Sequence, residues 1–218
     1  MYDALLTEKD IVLEIGANIG VLTVPLARRV KRVIAFEPQP ESHALLVKNL
    51  QINEIDNVEV YKYAIGAADD VVSMPTLLEL DEFDGVIGDY GGPEVGFGSL
   101  QVEQRKLDSF FDLPKISFIK MDCEGSELSV LIGGEKLINR DRPILYPEDN
   151  RPEQEAPMLK WLTDRDYECF WHCPPLYRED NFRKYNDNIF GNIKSTNWIC
   201  YPKEYKGPRF GTLEPVSV

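Results

Sequence analysis

Short apolar runs, separated by stretches whose apolar positions recur three and four residues apart, set the rhythm of the first part of this chain. Ile-Val-Leu-Glu-Ile at 11–15 reads as a buried strand, and residues 19–30 carry apolar side chains at helical spacing in spite of Pro25. A second strand is predicted at 31–36, a second helix at 41–52 and a third strand at 58–63. Strand and helix in alternation argue for a parallel sheet joined by right-handed crossovers, an α/β doubly wound fold. After Ala68 the rhythm breaks. Residues 69–100 hold Gly85, Gly88, Gly91, Gly92, Gly96 and Gly98 with Pro75 and Pro93, too many turn formers for a helix. This stretch reads as an excursion above one end of the sheet, a hairpin, with a surface loop and a substrate lid equally open.

Order returns with an element from 102 to 107 and Asp108 capping a helical turn, then a fourth strand at 116–121. Residues 126–138 fit one helix or two short ones broken at Gly133-Gly134. A fifth strand at 143–146, a helix at 153–163 and strands at 167–171 and 197–201 complete the pattern. Residues 174–194 are polar and aromatic without periodicity. The whole, 1–218, reads as one domain: 43% hydrophobic residues supply a core, and a chain this long hides roughly 70% of its unfolded surface.

Charge narrows the partners. Twenty-four basic against thirty-seven acidic residues give a net charge of -13, which repels phosphate backbones and makes nucleic acid a poor substrate. Cys123, Cys169, Cys173 and Cys200 lack paired spacing and read as free thiols in a reducing compartment. No apolar run approaches 18 residues and the first residues lack a signal-peptide pattern, so a cytoplasmic protein without a membrane partner is expected.

The chemistry is written at strand ends. Glu14-Ile15-Gly16-Ala17-Asn18-Ile19-Gly20 closes the first strand and opens the first helix, where small residues let the backbone approach a ligand. Glu37, in Phe36-Glu37-Pro38, stands where doubly wound folds place an acid for both hydroxyls of a ribose. A dinucleotide fingerprint would place a glycine where Asn18 stands, so pyrophosphate is disfavoured. Glu14 would repel a diphosphate but suits the cationic amino-acid end of S-adenosylmethionine, by contact or by bracing the loop. The second constellation is Lys120-Met121-Asp122-Cys123-Glu124-Gly125-Ser126-Glu127 at the exit of the fourth strand. Lys120 and Asp122 share a face. Asp122 and Glu124 are candidates for a general base, Lys120 for a catalytic group or an ion-pair partner of Glu14 or Glu148, and Glu127 for a helix-dipole partner with Ser126 or Asp122 near the cap.

These blocks, with Leu107-Asp108 between them, resemble the FkbM-like family of S-adenosylmethionine-dependent methyltransferases over residues 10–148. The resemblance implies a class I methyltransferase fold: a seven-stranded sheet of order 3-2-1-4-5-7-6, last strand antiparallel, helices on both faces. It implies O-methylation of a sugar-like or other small hydroxylated substrate. Carried over by position, Gly16, Ala17, Asn18 and Gly20 surround the methionine part of the cofactor, Glu37 holds the ribose, Ala64-Ile65 borders the adenine, and Asp122 lies beside the transferable methyl. Relatives carry more chain before the first strand, so residues 69–100 or a second subunit of a homo-oligomer would cover the cofactor. Asp122, Asp149 and Asn150 are weighed as oxygen ligands of Mg²⁺, by likeness to catechol-type methyltransferases. His172 is a further base candidate, and Trp171, Tyr177, Phe182 and Tyr185 are candidates to stack on a sugar. An NAD-binding oxidoreductase and a non-catalytic cofactor-binding module remain the rival readings.

Overall fold

The strand β1 (Ile11–Ile15) is buried along its whole length, which a strand achieves only with layers on both faces. Val12 and Glu14 point to one layer and Leu13 and Ile15 to the other, following the two-residue period of a strand. In the computed structural model, which describes residues 1–75, 99–110, 112–149, 151–181 and 184–217, seven strands form this central sheet. They are β1, β2 (Arg32–Phe36), β3 (Val58–Tyr61), β7 (Phe118–Met121), β8 (Ile144–Pro147), β9 (Tyr167–His172) and β10 (Asn197–Pro202). Their order is β3-β2-β1-β7-β8-β10-β9, and β10 runs antiparallel to both neighbours. Numbered within this sheet alone, that is the 3-2-1-4-5-7-6 order expected above.

Between β3 and β7 the chain builds a second, three-stranded sheet that the apolar pattern did not announce: β4 (Ala64–Ile65), β5 (Asp70–Pro75) and β6 (Ser99–Arg105), in the order β4-β6-β5. The arms β5 and β6 pair antiparallel from Asp70↔Gln104 to Pro75↔Ser99, so the excursion is a hairpin. The glycine-rich residues 76–98, on which the lid reading rested, lie outside the described residues.

Helices cover the sheet: α1 (Tyr2–Leu5), α2 (Thr23–Ala27), α3 (Pro40–Ile52), α4 (Glu127–Gly133), α5 (Glu135–Asp141) and α6 (Pro152–Thr163). The helix expected over 19–30 shortens to α2, because Gly16, Asn18 and Gly20 take positive φ and spend those residues on a loop. The break between α4 and α5 comes at the glycine pair. A Cβ on Gly133 would sit 1.9 Å from the Gly66 carbonyl, so only glycine lets α4 approach the start of the hairpin sheet. Asp108 caps α5 and not its own turn: its carboxylate accepts from Lys136 N (3.1 Å) and Leu137 N (2.9 Å). Residues 214–216 run beside the edge strand β9, bonded through Trp171 N to Glu214 O and Val216 N to Cys169 O (each 2.9 Å).

Candidate cofactor and acceptor site

β1, β2 and β7 end together, and their exit loops meet in a crevice. Gly16 N and Ala17 N both donate to Phe36 O (3.0 and 3.1 Å), which folds the first loop over the end of β2. Gly16 has φ +81, and a Cβ there would lie 1.9 Å from the Asp122 carbonyl; the loop and the exit of β7 are in contact because this residue has no side chain. Asn18, at φ 50, donates its N–H to Glu37 Oε2 (2.8 Å), while Gln39 N donates to Glu37 Oε1 (2.9 Å). The single carboxylate thus fastens the glycine loop to the exit of β2. Burial raises the Glu37 carboxyl above its ordinary range, the two amides oppose that, and the Asp122 charge adds to it from across the crevice.

Glu14 is only 1% exposed, and its Oε2 is buried near the Thr23 hydroxyl. Burial pushes its carboxyl up to about 7, against the pull of the Lys120 ammonium. Of the two roles weighed for Glu14, bracing the loop from beneath is the one its burial permits. Ile65 is likewise a core residue, packed with Leu107 and Val130, so only the backbone of β4 and the half-buried Ala64 remain to border a ligand.

The second constellation forms around Lys120, opposite Glu14 in the β1–β7 register. Its buried Nζ donates to Asp122 Oδ2 at 3.0 Å, so it pairs with Asp122, two residues on along its own strand. The Asp122 side chain keeps 37% exposure: an accessible carboxylate anchored from below. Glu124 is exposed at φ 52 in the tight turn before Gly125 (φ +96). Glu127 folds back, and its Oε1 accepts the Cys123 N–H at 2.7 Å. It staples the exit loop of β7, while Ser126, the residue before α4, makes no side-chain cap.

Glu148, named from the sequence only as a candidate ion-pair partner of Lys120, joins the site. Carboxylate oxygens of Asp122, Glu124 and Glu148 lie within 4.8 Å of one another. The signal that could have found Glu148 is its place one residue past the strand beside β7. Of the metal set Asp122, Asp149 and Asn150, the structure describes the first two. Asp149 is 7% exposed and faces the Trp198 indole and the Arg151 amide, with burial raising it to about 6, and Asn150 lies outside the described residues. Asp122 also already carries an ammonium on Oδ2, which opposes a second cation there. His172 is engaged: its Nδ1 lies 2.7 Å from the Tyr146 hydroxyl and Phe210 stacks edge-on at 5.1 Å. Half-buried Trp171 packs edge-on against Trp198, Tyr177 donates its hydroxyl to Tyr185 O, and the Tyr185 side chain is exposed; Phe182 lies outside the described residues.

The crevice fits a cationic nucleoside better than a dinucleotide. Glu37 and Asp122 face it with Glu14 beneath, and Lys120 is bonded to Asp122, so a diphosphate would meet negative charge from these residues. No helix among the described residues is long and apolar enough to cross a membrane.

The family model of the Methyltransferase FkbM domain matches residues 14–169. Methyltransferase 1 of Beauveria bassiana is 25% identical over 153 residues, 61% of each chain. A shorter stretch, 55 residues or 25% of this chain, is 47% identical to 18% of the ribosomal RNA small subunit methyltransferase A of Leuconostoc citreum. Among solved structures, methyltransferase FkbM from Methylobacillus flagellatus aligns with TM-score 0.60 and 20% identity, covering 88% of this chain and 44% of that one. A Streptococcus pneumoniae protein in complex with S-adenosyl-L-methionine aligns with TM-score 0.56 and 14% identity, covering 92% and 69%. The chain therefore spans 61% of the Beauveria relative's length and 44% of the Methylobacillus one's, under two thirds of each.

Proposed function

The chain belongs to the FkbM methyltransferase family, and from that premise we propose that it transfers a methyl group from S-adenosylmethionine to a hydroxyl of a small, sugar-like molecule. The observation that carries the cofactor reading is Glu37, which ties the Asn18 loop to the exit of β2 and keeps its carboxylate at the place a ribose would occupy. The acidic crevice supports a sulfonium over a diphosphate, and the similar Streptococcus fold in complex with S-adenosyl-L-methionine supports it further.

When bound, the cofactor supplies an electrophilic methyl on a positive sulfur. The chain's own task is to align an acceptor with that carbon and to exclude water, and such orientation contributes roughly 7–11 kcal/mol in favourable systems. Gly16, Ala17, Asn18 and Gly20 provide the backbone surface for the methionine half. Asp122, accessible and fixed by Lys120, accepts the proton that the acceptor hydroxyl loses. Glu124, exposed in the next turn, flanks the acceptor side. The net charge of -13 favours an uncharged small molecule over a nucleic acid. The same arrangement in a cytoplasmic monomer or homo-oligomer would work alike, since every group named lies on one chain.

Calorimetry with S-adenosylhomocysteine against NADH tests the cofactor, and mass spectrometry of small hydroxylated metabolites incubated with methyl-labelled cofactor tests the acceptor. Binding of S-adenosylhomocysteine alone, followed by label on a hydroxyl oxygen, is expected. Binding of NADH alone overturns the cofactor, and label found only on RNA or on nitrogen overturns the acceptor class.

A further inference from the structure

We propose that Glu148, just past the tip of β8, is a positioning residue of the acceptor site, whose carboxyl shares one proton with Asp122 and holds that carboxylate toward the acceptor. Its role in turnover rests on the methyl-transfer reading above; the shared proton does not.

The register makes the pair. β7 and β8 are parallel with Lys120↔Tyr146 and Met121↔Pro147 opposite, so Asp122 and Glu148 follow side by side and on one face. Glu148 N donates to Met121 O at 2.8 Å, which carries the ladder to the last residue. Carboxyl oxygens of Asp122 and Glu148 lie within 4.8 Å of each other, near enough for the pair to close a hydrogen bond. Two carboxyl groups form such a bond only when one carries a proton, because neither carboxylate has a donor. The Lys120 ammonium on Asp122 Oδ2 places the negative charge on Asp122 and leaves the proton with Glu148. The nearby acids act in the same sense. Glu124 from the exit loop of β7 and Glu127 from α4 are both negative, and half-burial removes water, so the Glu148 carboxyl is pushed up to about 8. Tyr146, on its own strand, is bonded to His172 and stays protonated, with its hydroxyl raised by burial above the usual range. Arg151, ahead of α6, lies over Gly125.

A neutral Glu148 therefore donates to one side of Asp122 while Lys120 donates from below, and the remaining lone pairs point outward. In methyl transfer the acceptor oxygen forms its bond to carbon as the carbon–sulfur pair returns to sulfur, and the hydroxyl proton passes to Asp122. Above the midpoint of Glu148 the two carboxylates repel each other and this arrangement is lost.

The test uses the full chain labelled with ¹³C at glutamate Cδ, with Glu148→Gln to assign the signal. We expect Glu148 to titrate at about 8, and in Asp122→Asn to fall toward the ordinary glutamate value of about 4.3. A wild-type midpoint near that ordinary value overturns the proposal even if Asp122→Asn does not fold, and so does a midpoint that Asp122→Asn leaves unmoved. With methyl transfer to the acceptor found above, Glu148→Gln, which keeps a permanent donor, should retain rate and lose the fall in rate above pH 8. Glu148→Ala should lose rate at every pH. Equal pH profiles for wild type and Glu148→Gln overturn the role. Coupled titration without S-adenosylhomocysteine binding would instead sink the methyltransferase reading and leave the pair standing.

Discussion

Replacing Glu14 by glutamine should make the protein less sensitive to alkaline pH. Glu14 sits at the end of β1 with 1% exposure, and burial raises its carboxyl from the ordinary 4.5 to about 7 although Lys120 stands opposite. A carboxyl raised in the folded state binds its proton more tightly there than in the unfolded chain, so its contribution is fully present below pH 4.5 and is lost as pH rises through about 7. The shift of about 2.5 units, at about 1.36 kcal/mol each, amounts to about 3 kcal/mol withdrawn between those limits. Glutamine has the same shape and no proton to lose. Urea unfolding of both proteins from pH 5 to pH 9 gives the comparison, with the raised carboxyls of Glu148 and Asp149 common to both. The difference in stability should grow in favour of Glu14→Gln by about 3 kcal/mol from the acid to the alkaline end. Curves that stay parallel would show that Glu14 is solvated or fully paired, and the bracing role beneath the loop would fall with them.

Two further outcomes follow from the loop geometry. Gly16→Ala puts a Cβ 1.9 Å from the Asp122 carbonyl at a residue with φ +81, so β7 and the loop must part. The left-handed backbone alone costs about 1–2 kcal/mol, so thermal unfolding should shift down by several degrees and S-adenosylhomocysteine affinity should fall more than tenfold; an unchanged affinity refutes the close-contact reading. Glu37→Gln keeps a carbonyl oxygen for one amide but removes the charge that strengthens both bonds and would hold a ribose. Charge-assisted hydrogen bonds contribute about 1.5–3 kcal/mol, so calorimetry should read a loss of roughly tenfold or more in affinity with the fold intact, and a smaller loss would place the ribose elsewhere.

What the sequence determined by itself is the part of the protein written in local pattern. β1, β2, β8 and β9 are continuous apolar runs bounded by turn formers, α3 and α6 have helical spacing, and each was legible to within a residue or two. The loop at Gly16–Gly20 and the acid at Glu37 were legible too, because a close backbone approach demands glycine and a cradle for cationic ligands demands carboxylates. The tertiary structure decided the rest. β4 is two residues long and is held by pairing with β6, forty residues on, which no local period encodes. Asp108 looked like the cap of its own turn and caps α5 across a gap of 28 residues. Lys120 was read as a partner of Glu14 or Glu148, and its ammonium bonds Asp122, two residues on along the same strand face. Glu148 entered the site through the parallel register of β7 and β8, which aligns residues that are far apart in the chain.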